Sequence, residues 1–188
     1  MSVAAVVLAA GASSRMGRPK ALIEWQGRPF FVHCSARASA VGCGPVVVVW
    51  GATPLPEQMA TLVQNPSWHD GPLSSLQAGL RTVMPAAPSA VLVLTVDRPH
   101  VRVDTLALLL ATHATAPEHV VQPEHGGRRG HPILLPALVL NDVLALPATD
   151  TLRSVVGRAD VQRTCVSVDD ASVLDNLDTP SDLQRLPA

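Results

Sequence analysis

Apolar residues in this chain come in two spacings that alternate along its length. Near-continuous apolar runs occupy 3–10 (VAAVVLAA), 45–51 (PVVVVWG) and 90–97 (AVLVLTVD), the pattern of strands buried on both faces of a parallel sheet. Elsewhere apolar positions recur near every 3.6 residues. PFFVHCSARASAV (29–41) predicts a helix ending at Gly42, PLSSLQAGLRTVM (72–84) one that opens on Pro72 and stops before Pro85, and VDTLALLLATHA (103–114) a third. Further on, EHVVQP (118–123) reads as a strand and ILLPALVLNDVLAL (133–146) as a short strand running into a helix. DTLRSVVGRA (150–159) reads as a short helix and VQRTCVSV (161–168) as a strand. TPSDLQRL (179–186) predicts a last short helix, with Thr179 as its cap and Pro180 at its first position. Strand and helix in alternation predict an α/β protein: three layers around a mostly parallel sheet, with ligands bound at the carboxyl ends of the strands.

The 188 residues suit a single domain over 1–188, and no internal repeat, low-complexity segment or linker divides them. With 47% apolar and 15% charged residues the chain is not of the disordered class. A formal net charge of −1 gives no electrostatic case for nucleic acid or an anionic membrane as a partner. Cys34, Cys43 and Cys165 form no CxxC pair, so neither a disulfide framework nor a zinc site is expected, which suits a reducing cytosol. The apolar start is short for a secretory signal, no basic residue precedes it, and no run approaches the roughly 20 apolar residues of a membrane span. A cytoplasmic location is the expectation.

Candidate chemistry begins directly after the first strand. Gly11 permits close backbone approach, Ser13 and Ser14 add hydroxyls, and Arg15 and Lys20 add positive charge. A glycine-rich loop so placed turns amides toward a phosphate, although an ordinary strand-to-helix turn with solvated arginines has the same composition. The spacing is neither a Walker A loop nor GxGxxG. Lys20 is the only lysine among 14 basic residues. Its compact ammonium meets phosphate oxygens as a point charge, which a planar guanidinium does differently.

Four further features carry chemistry. Asp97 closes a buried strand and reads either as a turn cap or as an oxygen ligand for Mg²⁺. NPSWHDGPLSSLQAGL (65–80) runs from a short strand into a helix whose first turn holds Ser74 and Ser75, able to cap that helix or to hold a sugar or base. HGGRRGH (125–131) has the composition of an anion-binding loop, while His125 and His131 lack the third ligand a metal site needs. DNLDTPSDL (175–183) contains a capping box before the final helix.

The stretch LAAG-x-SSRMG-x-PK, with Leu8, Ala9, Ala10, Gly11, Ser14, Arg15, Met16, Gly17, Pro19 and Lys20 in place, resembles the signature loop of the molybdenum cofactor nucleotidyltransferases. The resemblance continues in the family's order. Asn65, Gly71, Ser75, Leu76 and Gly79 match its base- and sugar-contacting segment, and Asp97 matches its strand–Asp–x–Pro motif. Gly130-His131-Pro132 matches a signature of the cytidylyltransferase branch near the pterin substrate, and DNLDTPSDL matches the closing motif.

The resemblance implies a three-layer Rossmann-like nucleotidyltransferase fold and transfer of a nucleoside monophosphate to the phosphate of molybdenum-molybdopterin, with release of pyrophosphate. Arg15 and Lys20 would hold the β- and γ-phosphates. Asp97 would hold Mg²⁺ together with Asn176, Asp178 being the competing candidate. Arg98 stands where Gln is usual, a departure that alters contacts to the second substrate or adds a phosphate contact; Arg98, Gly130, His131 and Pro132 would face the acceptor. The family's guanylyltransferases write LAGG and its cytidylyltransferases LAAG, so Ala10 favours CTP. A client molybdoenzyme would receive the product. Guanylyl transfer, another phosphorylated acceptor, and a non-catalytic molybdopterin-binding role are the alternatives.

Overall fold

The computed structural model describes residues 2–56 and 60–187. Strand β1 (Val3–Leu8) enters the interior of the main sheet. A small hairpin of β2 (Glu24–Trp25) and β3 (Arg28–Pro29) leads into helix α1 (Phe30–Ala40). There follow β4 (Val46–Trp50), β5 (Thr61–Gln64), α2 (Pro72–Val83), β6 (Ala90–Thr95) and α3 (Val103–Thr115). The last part holds β7 (Val120–His125), β8 (Arg128–Arg129), β9 (Ile133–Pro136), α4 (Ala137–Ala145), α5 (Arg153–Val156) and β10 (Arg163–Ser167).

The sheet reads β10-β7-β9-β6-β1-β4-β5, with β8 folded back onto β7. β1 is parallel to β4 and β6, β4 to β5, and β7 to β10. β9 alone on this path runs the other way, antiparallel to both β6 and β7. Its apolar run, like that of its neighbours, is buried on both faces, so hydrophobic pattern carries no mark of its direction.

Two cores flank the sheet, and the period-two alternation of β1 feeds both. Ala5 and Val7 face one side with Phe30, Phe31, Leu106 and Leu109, under α1 and α3. Ala4 and Val6 face the other with Leu76, Leu80, Leu140 and Val155, under α2, α4 and α5. Helix α2 lies close on the sheet because Gly79 has no side chain: a Cβ there would collide with Val6 and crowd Val49. Three layers around a mostly parallel sheet are therefore present as the alternating pattern requires.

Boundaries differ from the pattern where apolar character outlasts pairing. The first run continues to Ala10, but β1 ends at Leu8 and the two alanines turn into a loop. The helix expected over 72–84 ends at Val83 and continues as a 3₁₀ turn, Met84–Ala86, in which Pro85 is tolerated because first-turn amides need no partner. The final helix is a 3₁₀ helix, Pro180–Arg185, opened by the expected Thr179–Asp182 capping box. HGGRRGH forms the β7–β8 hairpin, whose turn places Gly126 and Gly127 at φ +56° and +73°, a region that favours glycine. Among the described residues no helix is long and apolar enough to cross a membrane.

Candidate active site

The first loop is held by its own side chains. Met16, 4% exposed, anchors it in the core beside Ile23 and Phe30. The Ser13 hydroxyl accepts from the Lys20 amide at 2.9 Å, so the loop closes where Lys20 begins a 3₁₀ turn. Glycine at 17 meets a real need, with φ +71°.

Four segments distant in sequence meet around a cleft of about 430 Å³ at the carboxyl ends of β1 and β6. The first loop contributes Leu8, Ala10, Gly11, Ser13, Ser14, Arg15 and Lys20. The segment before α2 contributes Trp68, His69, Gly71, Pro72 and Ser75; the end of β6 contributes Thr95, Val96 and Asp97; the tail contributes Asp178. Gly71, at φ +113°, makes the bend that starts α2, and Pro72 fills the first helical position, where no amide donor is missed.

Trp68, His69, Pro72, Thr95 and Val96 line the cleft without having been assigned to it from the sequence. Trp68 and His69 stand in the loop that runs from a strand's carboxyl end to a helix N-terminus, which is the signal for them; a lone Trp in a loop otherwise reads as packing. Trp68 does pack: it sits so close to Gly51 that any side chain at 51 would strike it.

The remaining sequence candidates lie around the cleft rather than in its lining. Ala9 packs against the core under α1 and α3. Asn65 is 4% exposed, and its amide is committed internally. It donates to the Ser74 and Ser75 hydroxyls at 2.9 and 3.0 Å and accepts from the Ser67 amide at 3.1 Å, fixing the α2 entrance. Gly130, His131 and Pro132 lead into β9, and because β9 is reversed they lie beside the end of β6. His131 and Pro132 line a second, much smaller cavity with Leu94, Thr95, Arg98 and Val101. Gly130 has a packing reason to be glycine, since a Cβ would collide with the Val173 carbonyl.

Arg98 is the hub between these regions. It donates to Thr95 Oγ1 at 2.6 Å, to Asp97 Oδ1 at 2.9 Å and to Asn176 Oδ1. Asn176 is thereby turned onto Arg98, and Asp178 is the tail residue that shares the cleft with Asp97. Asp178 in turn accepts from Lys20 Nζ and lies 2.8 Å from Arg15 Nη2. The Lys20 hydrogen bond, aided by the charges of Lys20 and Arg15 against some burial, holds its carboxyl below the ordinary value. Burial pushes the His131 imidazole down to about 4, with Arg98 adding to the effect and Asp97 opposing it. His131 is therefore neutral at neutral pH.

Among the described residues no group of three or more His, Cys, Asp or Glu side chains stands ready for a metal. The cleft does present two carboxylates, Asp97 and Asp178. That donor set fits Mg²⁺, which takes one or two carboxylates and completes its octahedron with water and substrate phosphates.

Comparison with known proteins adds the following. A family model described as the MobA-like NTP transferase domain matches residues 5–164. The nicotine blue oxidoreductase of Paenarthrobacter nicotinovorans is 33% identical over 147 residues, 72% of this chain and 71% of that protein. The molybdenum cofactor cytidylyltransferase of Escherichia coli is 26% identical over 185 residues, 94% of this chain and 91% of its own. A probable molybdenum cofactor guanylyltransferase of Mycobacterium avium is 29% identical over 196 aligned positions, covering 99% and 95%. In fold, a solved nucleotidyl transferase from Methanothermobacter superposes with a TM-score of 0.82 at 24% identity, covering 98% of this chain and 95% of that one.

Proposed function

The chain belongs to the MobA-like NTP transferase family, and from that premise we propose that it is a magnesium-dependent transferase that moves a cytidylyl group from CTP to the phosphate of molybdenum-molybdopterin. One observation carries the reading: Arg15, Lys20, Asp97 and Asp178, drawn from three separate parts of the sequence, line a single cleft.

The chemistry follows from these side chains. A phosphate oxygen of the acceptor attacks the α-phosphorus of the nucleotide, a new P–O bond forms, and the bond to the β-phosphate oxygen breaks as pyrophosphate leaves. The attacking oxygen is already an anion, so the protein need not supply a strong base, and catalysis is positioning and charge neutralisation. Arg15 and Lys20 hold the β- and γ-phosphates and stabilise the charge that gathers on the leaving group. Gly71 and the Ser75 hydroxyl, fixed through Asn65, receive the nucleoside at the start of α2. Mg²⁺, held by Asp97 with Asp178 or Asn176, would supply further neutralisation of the phosphates. Arg98 and the Gly130–Pro132 segment face the acceptor. The product would pass to a molybdoenzyme, and the cytoplasm is the compartment that suits this role.

Ala10, 5% exposed, lines the cleft, and CTP is favoured because a methyl group there would crowd a purine more than a pyrimidine. Relatives of similar identity carry both cytidylyl and guanylyl names, so the base is the first thing to measure. The protein is incubated with Mg²⁺, molybdenum-loaded molybdopterin and either CTP or GTP, and pyrophosphate is followed. Release with CTP in clear excess over GTP is expected. Turnover with GTP alone overturns the base assignment. Release only with other phosphorylated acceptors overturns the acceptor. Nucleotide-independent molybdopterin binding without release leaves an accessory role.

A second reading, an oxidoreductase, is favoured by the 33% identity to the nicotine blue enzyme. Redox turnover of nicotine blue, with no pyrophosphate from either nucleotide, would put it in place of the first.

A further inference from the structure

The two loop cations assigned to the triphosphate share one carboxylate, each taking one oxygen. Lys20 Nζ donates to Asp178 Oδ1, and Arg15 Nη2 lies 2.8 Å from Oδ2. The Lys20 side chain is only 14% exposed and that of Asp178 23%, against 71% for Arg15. Asp178 is therefore set against the less accessible cation, the one a phosphate oxygen must reach.

The main chain that carries Asp178 is fixed. Its own amide and that of Thr179 donate to Asp182 Oδ2 at 2.9 and 2.8 Å, and the preceding Leu177 is fully buried. What freedom remains is rotation of the Asp178 side chain. A carboxylate and a phosphate compete for the same donors, and a divalent cation attracts the carboxylate more strongly than an ammonium does.

We propose that Asp178 is a counter-ion gate on the phosphate subsite: its carboxylate occupies Lys20 and Arg15 until a divalent cation arriving with the polyphosphate draws it away. The gate admits the metal complex of a polyphosphate and discriminates against the bare anion. It rests on the nucleotide reading of the cleft, and it assigns Asp178 a role that metal ligation alone would not require, namely exclusion.

The test is calorimetric titration of the full chain with pyrophosphate, once with a chelator and once with excess Mg²⁺, for the wild type, Asp178→Asn and Asp178→Ser. Thermal unfolding and circular dichroism establish which variants keep the wild-type fold, and two substitutions are used so that one failure of folding does not decide the matter. Removing the competing charge should tighten metal-free pyrophosphate binding on the order of tenfold, while the gain in affinity on adding Mg²⁺ shrinks relative to the wild type. Equal or weaker metal-free binding by the folded variants overturns the gate and leaves the nucleotide reading standing, because the anion still binds. If no protein in the set binds pyrophosphate with or without Mg²⁺, the gate and the nucleotide reading fall together.

Discussion

The main-chain amide of Leu177 donates to the carbonyl oxygen of Asp97 at 3.2 Å. This bond pins the tail to the turn that ends β6, and Leu177 is completely buried. In an extended chain alternate residues face the same way, so with Leu177 in the core its neighbours on either side are both turned toward the site. Asn176 then meets Arg98, and Asp178 meets Lys20. A slip of one residue would bury a carboxylate and expose the leucine.

Lys20→Ala should abolish most turnover and spare the fold. Among the described residues the polar contact of the side chain is to Asp178, while the backbone tie to Ser13 survives the substitution. A loss of about 10²-fold or more in kcat/KM is expected for a charge that stabilises a leaving group. Steady-state pyrophosphate release and a thermal melt check both halves; normal turnover in a folded variant would refute the assigned role.

Asn65→Ala should act on stability first. The amide ties Ser67, Ser74 and Ser75 together in a buried place, and its loss leaves the Ser75 hydroxyl and the Ser67 amide short of a partner, while the Ser74 hydroxyl keeps its bonds to the Ser67 and Gly71 carbonyl oxygens. About 2 kcal/mol is expected from urea unfolding, with weaker nucleotide binding as the Ser75 hydroxyl loses its position. A change within experimental error would show that the triad does not hold the α2 entrance.

Stability should fall in mild acid through His131. Its folded value of about 4 lies below the ordinary 6.5, so between those values the unfolded chain binds a proton that the folded chain does not. The stabilisation is complete above pH 6.5 and is lost as the pH falls toward about 4, at a cost of up to about 3 kcal/mol. His131→Asn removes this component. The wild-type urea midpoint should fall relative to that of His131→Asn as the pH drops across that window, and parallel curves would refute the buried neutral imidazole.

Much of this could be read from the residues, and what could not has physical causes. Continuous apolar runs give buried strands and 3.6-residue spacing gives helices, so the three layers follow. Strand direction does not, because Ile133–Pro136 buries every side chain whichever way it runs. The loop that carries Lys20 declares itself by composition, and Asp97 by its place after a strand. Asn65 and Ser75 are paired with each other rather than both facing the cleft, a distinction invisible to spacing. Asn176 and Asp178 share one face of an extended segment, and only the three-dimensional register gives one to Arg98 and the other to the cleft.

The reversal of β9 has a consequence for how this molecule can diversify. The wall around Lys20 is built on crossovers between parallel strands, where a change in length disturbs a helix and two strands. Residues 130–132 hang instead from a hairpin between neighbouring strands, and a hairpin can grow or shrink at its tip without rethreading anything. On the proposed reading of the cleft, descendants of this chain could therefore exchange one acceptor for another by remodelling a single turn, while inheriting the half assigned to phosphate intact.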